Sequence, residues 1–514
     1  MDDVKLSGVL AALPHAEIIG ASDSRDIAVS AVAYRADEVT PGGMFFAIPG
    51  HRQDGHTFIA EALARGARVV MGERALPDGF PPACIYVRVA DARLALGLAS
   101  AAFYQYPSRE MEIIGVTGTD GKTTTTNLIE TLLARAGRQT GLMSTVDMKI
   151  GAERRQNNTR FTTLEAPEVQ ATLRAMRAAG VECAVVETTS SGLALHRVAG
   201  VEYDVAVVTN ITSEHLEVHG TWENYRRAKA MLCEAVAPDG RKALGMVIPR
   251  VCVLNRDDPN YDYLAQFCRA PVISYGVERR EADVWADEVR LEADGAAFRL
   301  HLPDGPAIAV RTPYVGRFNV SNCLAAIAVA HAHGLERELM VDALAHAPRI
   351  PGRMERVERG QPFTVVVDYA HTADSLEKVL QVLRPLTRGR LIAVFGSAGD
   401  RDRMKRPKMG AVSARLADFA VITDEDPREE DAASILREIA VGAEAEGARA
   451  GEQFVEIVGR REAIAAAFAM AQLGDTVLLA GKGHEQSLVI GREKLPWDEA
   501  RVARDLLGDL GYES

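Results

Sequence analysis

The chain has 514 residues, too long for one ordinary domain and enough for three. It is 47% hydrophobic and 25% charged, with a formal net charge of −12 and no Lys/Arg block. That balance excludes a nucleic-acid binder on electrostatic grounds but not anionic small ligands, for which a few local N–H groups and cations suffice. None of the six cysteines forms a Cys-x-x-Cys pair, and most lie in apolar runs, so free buried thiols in a reducing compartment are expected. The N-terminus carries acids where a signal peptide needs basic residues, and no apolar run approaches a membrane span of about 20 residues. A cytoplasmic protein without membrane contact is expected.

In chain order, residues 1–108 mix short strands (AVSAVAY, GMFFAIPG, ARVVMG, CIYVRVA) with a helix near Thr57–Arg65, the texture of a small α/β domain. From Glu112 the pattern changes. IIGVTG is an apolar run that ends in a glycine turn and leads into TTTTNLIETLLARAG, and further apolar runs follow at CAVVET, DVAVVTN and VCVLN. Strands alternating with helices predict a mostly parallel sheet, here over residues 109–349, closed by the helix NVSNCLAAIAVAHAHG. The segment RIPGRMERVERG reads as a hinge into a third domain, 350–514, with strands FTVVVDYA, RLIAVFGS, FAVITD and DTVLLAG between helices. The predicted fold is α/β in three domains: a central ATPase-type parallel sheet flanked by a small N-terminal α/β domain and a Rossmann-like C-terminal domain. Ligands of such sheets bind at the carboxyl ends of the strands.

The strongest local signal is Gly115-Val116-Thr117-Gly118-Thr119-Asp120-Gly121-Lys122-Thr123-Thr124, between a strand and a helix. Glycines let backbone N–H groups turn onto phosphate oxygens, and the helix N-terminus adds partial positive charge. Lys122 can reach the terminal phosphates, and the Thr123 hydroxyl can ligate Mg²⁺. Further on come Glu187-Thr188-Thr189-Ser190-Ser191-Gly192-Leu193, then Asn210 with Ser213-Glu214-His215-Leu216-Glu217-Val218-His219-Gly220, then Tyr225-Arg226-Arg227-Ala228-Lys229. Taken singly, Glu187 reads as a strand-end cap, His215 as a loop histidine and Lys229 as a solvated helix lysine. The ordered set, at strand ends after a phosphate loop, does not arise readily by chance.

These elements resemble the Mur ligase family. Thr117–Thr124 reads TGTDGKTT against the family loop T-G-T-x-G-K-[ST]-[ST], with Asp120 where Asn or Lys is usual. The later elements resemble E-V-S-S-x-G-L, T-N-x-x-x-D-H-L-D-x-H-G and Y-x-x-A-K, with Ser191 in place of His and Glu214 in place of Asp. The resemblance implies ATP on Gly118, Thr119, Asp120, Gly121, Lys122, Thr123 and Thr124. It also implies Asn255, Asn319, Arg353 of Pro351-Gly352-Arg353-Met354-Glu355, and Asp368 and His371 of Val367-Asp368-Tyr369-Ala370-His371-Thr372 on the nucleotide side. It implies Mg²⁺ on Thr123, Glu187, His215 and Lys229. Lys229 would be present as its carbamate (N6-carboxylysine), because a free ammonium would repel the metals whereas CO₂ addition reverses the sign. Lys122, Glu187, His215 and Lys229 are the expected catalytic set.

The third region carries Gly399-Asp400-Arg401-Asp402, Thr423-Asp424-Glu425-Asp426-Pro427-Arg428 and Gly481-Lys482-Gly483-His484-Glu485. These resemble the branch of the family that adds the third residue to UDP-N-acetylmuramoyl-L-Ala-D-Glu in peptidoglycan precursor synthesis. The resemblance implies the free amino acid on Arg401, Glu425, Asp426, Pro427, Arg428, Gly481 and Glu485. Members adding diaminopimelate have D-N-P-R where this chain has Glu425-Asp426-Pro427-Arg428. The carboxylate at Asp426 would repel a distal carboxylate and favour lysine or ornithine, while Arg428, a bidentate carboxylate clamp, pulls the other way. The sugar-nucleotide end is implied at His51, Arg52 and Gln53 of Gly50–Gly55, with Thr162, Thr163, Thr189 and Arg197. It departs from the family at Tyr34, Phe161 and Leu195. The partners implied are the UDP-muramoyl dipeptide and a free amino acid, and a monomer is expected. Three alternatives share parts of this pattern: a Mur-like ligase for another glycopeptide, a folylpolyglutamate synthetase-like ligase, and a nucleotide-binding regulator without ligase activity.

Overall fold

The computed structural model describes residues 4–19, 27–50, 53–159, 161–212, 219–238, 242 and 248–513. The chain forms two compact units, Met1–Val284 with Leu324–Leu339, and Trp285–Cys323 with Met340–Ser514. In the first unit, strands β1 (Glu17–Ile19), β2 (Val32–Ala33), β3 (Met44–Ala47), β4 (Val69–Gly72) and β5 (Ile85–Arg88) form a sheet of order β1-β5-β4-β3-β2. It is parallel except for β1 against β5. Helix α1 (Ala92–Phe103) starts on Asp91, whose carboxylate accepts from the Arg93 and Leu94 amides, so its apolar face packs into a core with Leu6, Met44, Val69 and Val87.

A second sheet of this unit contains β6 (Glu112–Thr117), β7 (Thr140–Met143), β8 (Asp147–Ile150), β9 (Glu153–Gln156), β10 (Cys183–Glu187), β11 (Val205–Val208), β12 (Val251–Asn255) and β13 (Val272–Gly276). Their order is β9-β8-β7-β10-β6-β11-β12-β13, parallel from β7 to β13 and antiparallel at β8 and β9. Between them run α2 (Lys122–Arg135), α3 (Ala166–Ala178), α4 (Ser190–Ala194), α5 (Trp222–Ala235) and α6 (Tyr261–Ala265). Every residue of β6, β10 and β11 is buried, which is why their sequences are continuous apolar runs rather than alternating ones. Each buried Val or Ile contributes about 1.5–3 kcal/mol. The polar exceptions are placed. Glu112 at the start of β6 accepts from His333 at 2.7 Å and Arg138 at 3.0 Å, and these partners outweigh burial and hold its carboxyl below the usual range. Register puts Glu187 opposite Val116 and Val208 opposite Thr117, so the polar ends of the three central strands emerge together.

The second unit holds an antiparallel meander, β14 (Val284–Glu292), β15 (Gly295–His301) and β16 (Ile308–Thr312), followed by the start of α7 (Arg317–Ala332). Its other sheet has β17 (Glu355–Val357), β18 (Thr364–Asp368), β19 (Leu391–Phe395), β20 (Phe419–Ile422), β21 (Phe454–Glu456) and β22 (Thr476–Ala480) in the order β17-β18-β22-β19-β20-β21. Only β17 is antiparallel. Helices α8 (Ala373–Leu383), α9 (Lys405–Leu416), α10 (Ala432–Ala445), α11 (Arg460–Met470) and α12 (Glu499–Asp509) accompany it, with the hairpin β23 (Ser487–Ile490) and β24 (Glu493–Pro496) before α12. One sheet thus lies within residues 17–88, a second spans 112–276 and a third lies within 355–480. Among the described residues, no helix is long and apolar enough to cross a membrane.

Candidate active site

The phosphate loop leaves β6 at Thr117 and enters α2 at Lys122. Gly118 (φ +153°) lies so close to β11's end that a Cβ would come 1.8 Å from the Thr209 hydroxyl, and Gly121 (φ +80°) turns the chain into the helix. The loop is tied to its neighbour strand: the Thr119 amide donates to the Asn210 carbonyl at 2.8 Å, and the Asp120 amide to Asn210 Oδ1 at 3.0 Å. The Asp120 carbonyl accepts from the Thr209 hydroxyl at 2.6 Å and from Asn210 Nδ2 at 3.0 Å. Four consecutive threonines, 123–126, open α2, although β-branched residues are poor helix formers. The Thr126 hydroxyl returns to the Lys122 carbonyl at 2.7 Å. The Thr123 hydroxyl donates to both Glu187 oxygens, at 3.0 and 3.1 Å.

Glu187 is 1% exposed at the end of β10 and also accepts from the Thr145 amide at 2.7 Å. A carboxylate fixed beside the first-turn hydroxyl of a phosphate-loop helix is a hard-oxygen pair of the kind Mg²⁺ takes. Lys122 folds back, its Nζ donating to the Thr119 carbonyl at 2.6 Å. Lys229 lies on α5 and is 1% exposed. Its Nζ donates to the Gly118 carbonyl at 2.6 Å and stands 4.6 Å from the Tyr225 ring centroid. The Tyr225 hydroxyl reaches the Thr119 hydroxyl at 2.9 Å. Lys229 is therefore no solvated surface lysine: its amine is directed at the phosphate loop. His215, with Ser213 and Glu214, lies outside the described residues, whereas His219 is described and bonds the Ser190 hydroxyl at 3.0 Å. Asn255, at the end of β12, donates to the Thr209 carbonyl at 2.9 Å and accepts from the Asp257 amide at 3.0 Å, which places it beside the same strand end.

A hydroxyl cluster adjoins Glu187. The Thr145 and Thr162 hydroxyls are 3.0 Å apart, as are those of Thr163 and Thr189, and Thr189 caps α4. Arg197 donates to the Thr163 carbonyl at 3.1 Å, pairs with Glu165 at 2.8 Å and covers the Phe161 ring at 4.8 Å. Thr162, Thr163, Thr189 and Arg197 are thus brought together next to the metal-type residues. Of the residues expected at the uridine end, His51 and Arg52 lie outside the described residues, and Gln53 is exposed, its carbonyl accepting from the Gly50 amide at 3.1 Å. The Tyr34 hydroxyl donates to Glu168 of α3 at 3.1 Å, and burial together with Glu168 and Glu165 pushes its pKa above the usual tyrosine range. Leu195 merely ends α4.

In the second unit, Asp368 ends β18 and accepts from the Met354 amide at 2.8 Å and the Ala370 amide at 2.9 Å, fixing the PGR segment against the following loop. Arg353 covers the Tyr369 ring at 4.7 Å, and His371 Nδ1 bonds the Tyr369 carbonyl at 2.9 Å. Asn319, near the start of α7, returns its Nδ2 to the Val315 carbonyl at 2.8 Å, so it acts on its own helix turn. The loops 424–428 and 481–485 leave the carboxyl ends of β20 and β22. They are joined by the fully buried Arg460, which donates to the Asp424 carbonyl at 2.9 Å and the Ala480 carbonyl at 2.7 Å. The Arg460 charge is matched by Glu499 at 2.6 Å.

Lys482, fully buried, donates to Asp426 at 2.8 Å and to Glu485 at 2.5 Å. Burial opposes its charge, but Glu485 and Asp426 outweigh burial and raise its pKa. Asp426 also accepts from the Val489 amide at 3.0 Å. The expectation that Asp426 presents a free carboxylate to a substrate therefore needs correcting, because Lys482 already shares its charge. Glu425 holds the freer carboxylate: it is 7% exposed, and its Oε2 has no hydrogen-bond partner among the described residues. Gly481 lies against that oxygen, its added Cβ falling 3.3 Å away. Glu485 receives the Tyr369 hydroxyl at 3.4 Å, and burial raises its carboxyl. Arg428 takes a left-handed backbone (φ +55°) that its bonds to Val489 and Gly491 impose, and it is half-buried beside Pro427. Arg401 is exposed and apart from this cluster's hydrogen bonds.

Family models match most of the chain. Residues 28–104 match "Mur ligase family, catalytic domain", 116–330 "Mur ligase middle domain" and 352–483 "Mur ligase, glutamate ligase domain". The UDP-N-acetylmuramyl-tripeptide synthetase of Roseiflexus sp. (strain RS-1) is 50% identical over 490 residues, 94% of this chain and 95% of that one. The chain belongs to the Mur ligase family. A UDP-N-acetylmuramoyl-L-alanyl-D-glutamate–2,6-diaminopimelate ligase of Geobacillus kaustophilus is 43% identical over 475 residues, 92% of this chain and 94% of that one. The solved structure of another ligase of that name aligns over 99% of both chains with a TM-score of 0.66 at 30% identity. As a Mur ligase, the chain contains Lys482, Tyr225, Thr145 and Asn210 as supports that the sequence-level site did not include. Lys482 and Tyr225 stood inside quoted motifs, but nothing in sequence shows which motif residues turn inward. Thr145 carried no signal.

Proposed function

We propose that this Mur ligase joins a free amino acid to the D-Glu carboxylate of UDP-N-acetylmuramoyl-L-Ala-D-Glu, forming ADP and phosphate. The observation that carries this reading is the segment Gly118–Thr123, with the Glu187 carboxylate fixed on Thr123 and the Lys229 amine on Gly118. The named relatives of about 40–50% identity support the substrate pair. The acceptor carboxylate attacks the γ-phosphorus of ATP and ADP leaves, giving an acyl-phosphate. The amine then attacks the acyl carbon and phosphate leaves, giving the amide. Lys122, the loop amides and the α2 N-terminus bind the phosphates and stabilise charge as it develops.

The chemistry of the donors fits Mg²⁺: Thr123, Glu187, His215 and a carbamylated Lys229 would hold it. Bound there, it would offset phosphate charge. The carbamate forms when the ammonium loses one proton and the neutral amine then adds to CO₂ and releases a second, replacing a cation by an anion. The hydroxyls of Thr162, Thr163 and Thr189 with Arg197 would orient the muramoyl dipeptide, and His51, Arg52 and Gln53 would hold the uridine end. Asn255, Asn319, Arg353, Asp368 and His371 would serve the nucleotide. The functional domains proposed are 1–108, 109–349 and 350–514, in a monomer working in the cytoplasm, where ATP is available.

For the amino acid, Glu425, Asp426 and Glu485 set three carboxylates against the cations Lys482 and Arg428. A zwitterionic core is neutral, so this excess of negative charge favours a cationic tip, lysine or ornithine, over diaminopimelate. Phosphate release with ATP, the UDP-muramoyl dipeptide and a panel of amino acids tests the reading. Release that requires the dipeptide and one amino acid together is expected, and release with a folate or another glycopeptide but not this dipeptide would replace it.

A further inference from the structure

Away from the ligase site, three cysteines from distant parts of the sequence meet. Cys233 lies on α5, Cys252 on β12 and Cys268 just beyond α6, and their sulfurs all lie within 4.8 Å of one another. Cys233 and Cys252 are fully buried, and Cys268 is half-buried. All three are free thiols. The surroundings are apolar, with Leu254, Leu264 and Ala270 in the same core and Phe267 and Tyr263 packed against it. The group contains no His, Asp or Glu among the described residues. We propose that Cys233, Cys252 and Cys268 form a three-sulfur binding site for a soft, thiophilic metal cation such as Cu(I).

The ligand set decides the class of ion. Structural Zn²⁺ sites are almost always four-coordinate, and no fourth His, Cys, Asp or Glu donor joins the group among the described residues, whereas hard cations want oxygen. Thiolates select soft ions. Three sulfurs at about 2.3 Å around one ion stand about 4 Å apart, which small side-chain rotations reach from the separation found here. The Cys252 thiol donates to the Cys233 carbonyl at 3.8 Å and the Cys268 thiol to the Leu264 carbonyl at 3.6 Å, so backbone carbonyls hold these two thiols in place. The neighbouring sulfurs lower the Cys268 thiol below its ordinary value, while Cys252, Cys268 and burial push Cys233 up. Metal binding would release the thiol protons. The site would cross-link α5, β12 and the segment after α6. Cys233 lies one helical turn beyond Lys229 on α5, so occupancy would stiffen the helix that carries the proposed carbamate.

The test is an anaerobic titration of the reduced full chain with Cu(I) against a chromophoric Cu(I) chelator. Wild type and Cys84→Ser should each retain one ion per chain at chelator levels that strip Cys268→Ser and the Cys233→Ala/Cys252→Ala/Cys268→Ala variant. Cys268→Ser alters a half-buried position and decides the matter if the triple variant fails to fold. Equal retention by wild type and Cys268→Ser, or surrender of all Cu(I) by wild type, would overturn the proposal.

Discussion

Two buried lysines sit in the two compact units, and their surroundings differ. Lys482 has two carboxylates within hydrogen-bond reach, Asp426 and Glu485, and is held as an ammonium. Lys229 donates to the Gly118 carbonyl at 2.6 Å and lies against the Tyr225 ring. Carbamate formation needs a neutral amine as nucleophile. An ammonium clamped between two carboxylates is poorly placed for it, so Lys482 serves as a structural counter-charge. Lys229 faces the phosphate loop, where the proposed carbamate would act beside Mg²⁺ and the phosphates. Both lysines are buried, so burial alone does not separate the two roles.

The largest expected effect comes from breaking the Lys229 side. Lys229→Ala should lower kcat by about a hundred- to a thousandfold, the cost of removing a preorganised electrostatic group, and added acetate or formate should restore part of it. No rescue by small carboxylates in a folded variant would remove the carbamate from the account. Glu187→Gln should be comparably slow with a wild-type melting temperature, because Gln still accepts from Thr123 and Thr145; near-normal turnover would count against Glu187 as a metal-side residue.

Breaking the Lys482 side should act on stability first. Lys482→Met leaves Asp426 and Glu485 buried without their cation, at a cost of about 3–5 kcal/mol, read by denaturant unfolding. A change below about 1 kcal/mol would show that the three groups do not function as a buried ion-pair cluster. The smallest effects concern specificity. Glu425→Gln should lower the kcat/KM preference for lysine or ornithine over diaminopimelate by about tenfold, equivalent to about 1.4 kcal/mol. Asp426→Asn should shift it less, since Lys482 already shares that charge. The reverse order would place the Asp426 carboxylate, rather than Glu425, at the substrate tip.

Much of this was legible in sequence, for identifiable reasons. The phosphate loop could be read because Gly118, Gly121, Lys122 and Thr123 must stand at fixed spacing between a strand and a helix, and the continuous apolar runs announced parallel strands buried on both faces. What escaped were relations between residues far apart in the chain. Asp426 looked like a free negative charge because Lys482, 56 positions later, carries no mark of pointing at it. Arg460 reads as an ordinary first-turn arginine of α11, yet it binds the carbonyls at the roots of the loops 424–428 and 481–485. The cysteines looked like separate small hydrophobes until the fold brought three of them together.

Activation of a carboxylate as an acyl-phosphate beside Lys122, Glu187 and Lys229 leaves a record in oxygen isotopes. The UDP-muramoyl dipeptide is labelled with oxygen-18 in its D-Glu side-chain carboxylate and turned over with ATP and the preferred amino acid, and the released phosphate is analysed by mass spectrometry. One labelled oxygen is expected in each phosphate released, because the carboxylate oxygen that attacked the γ-phosphorus leaves with it. Phosphate free of label, formed alongside the amide product, would rule out the acyl-phosphate.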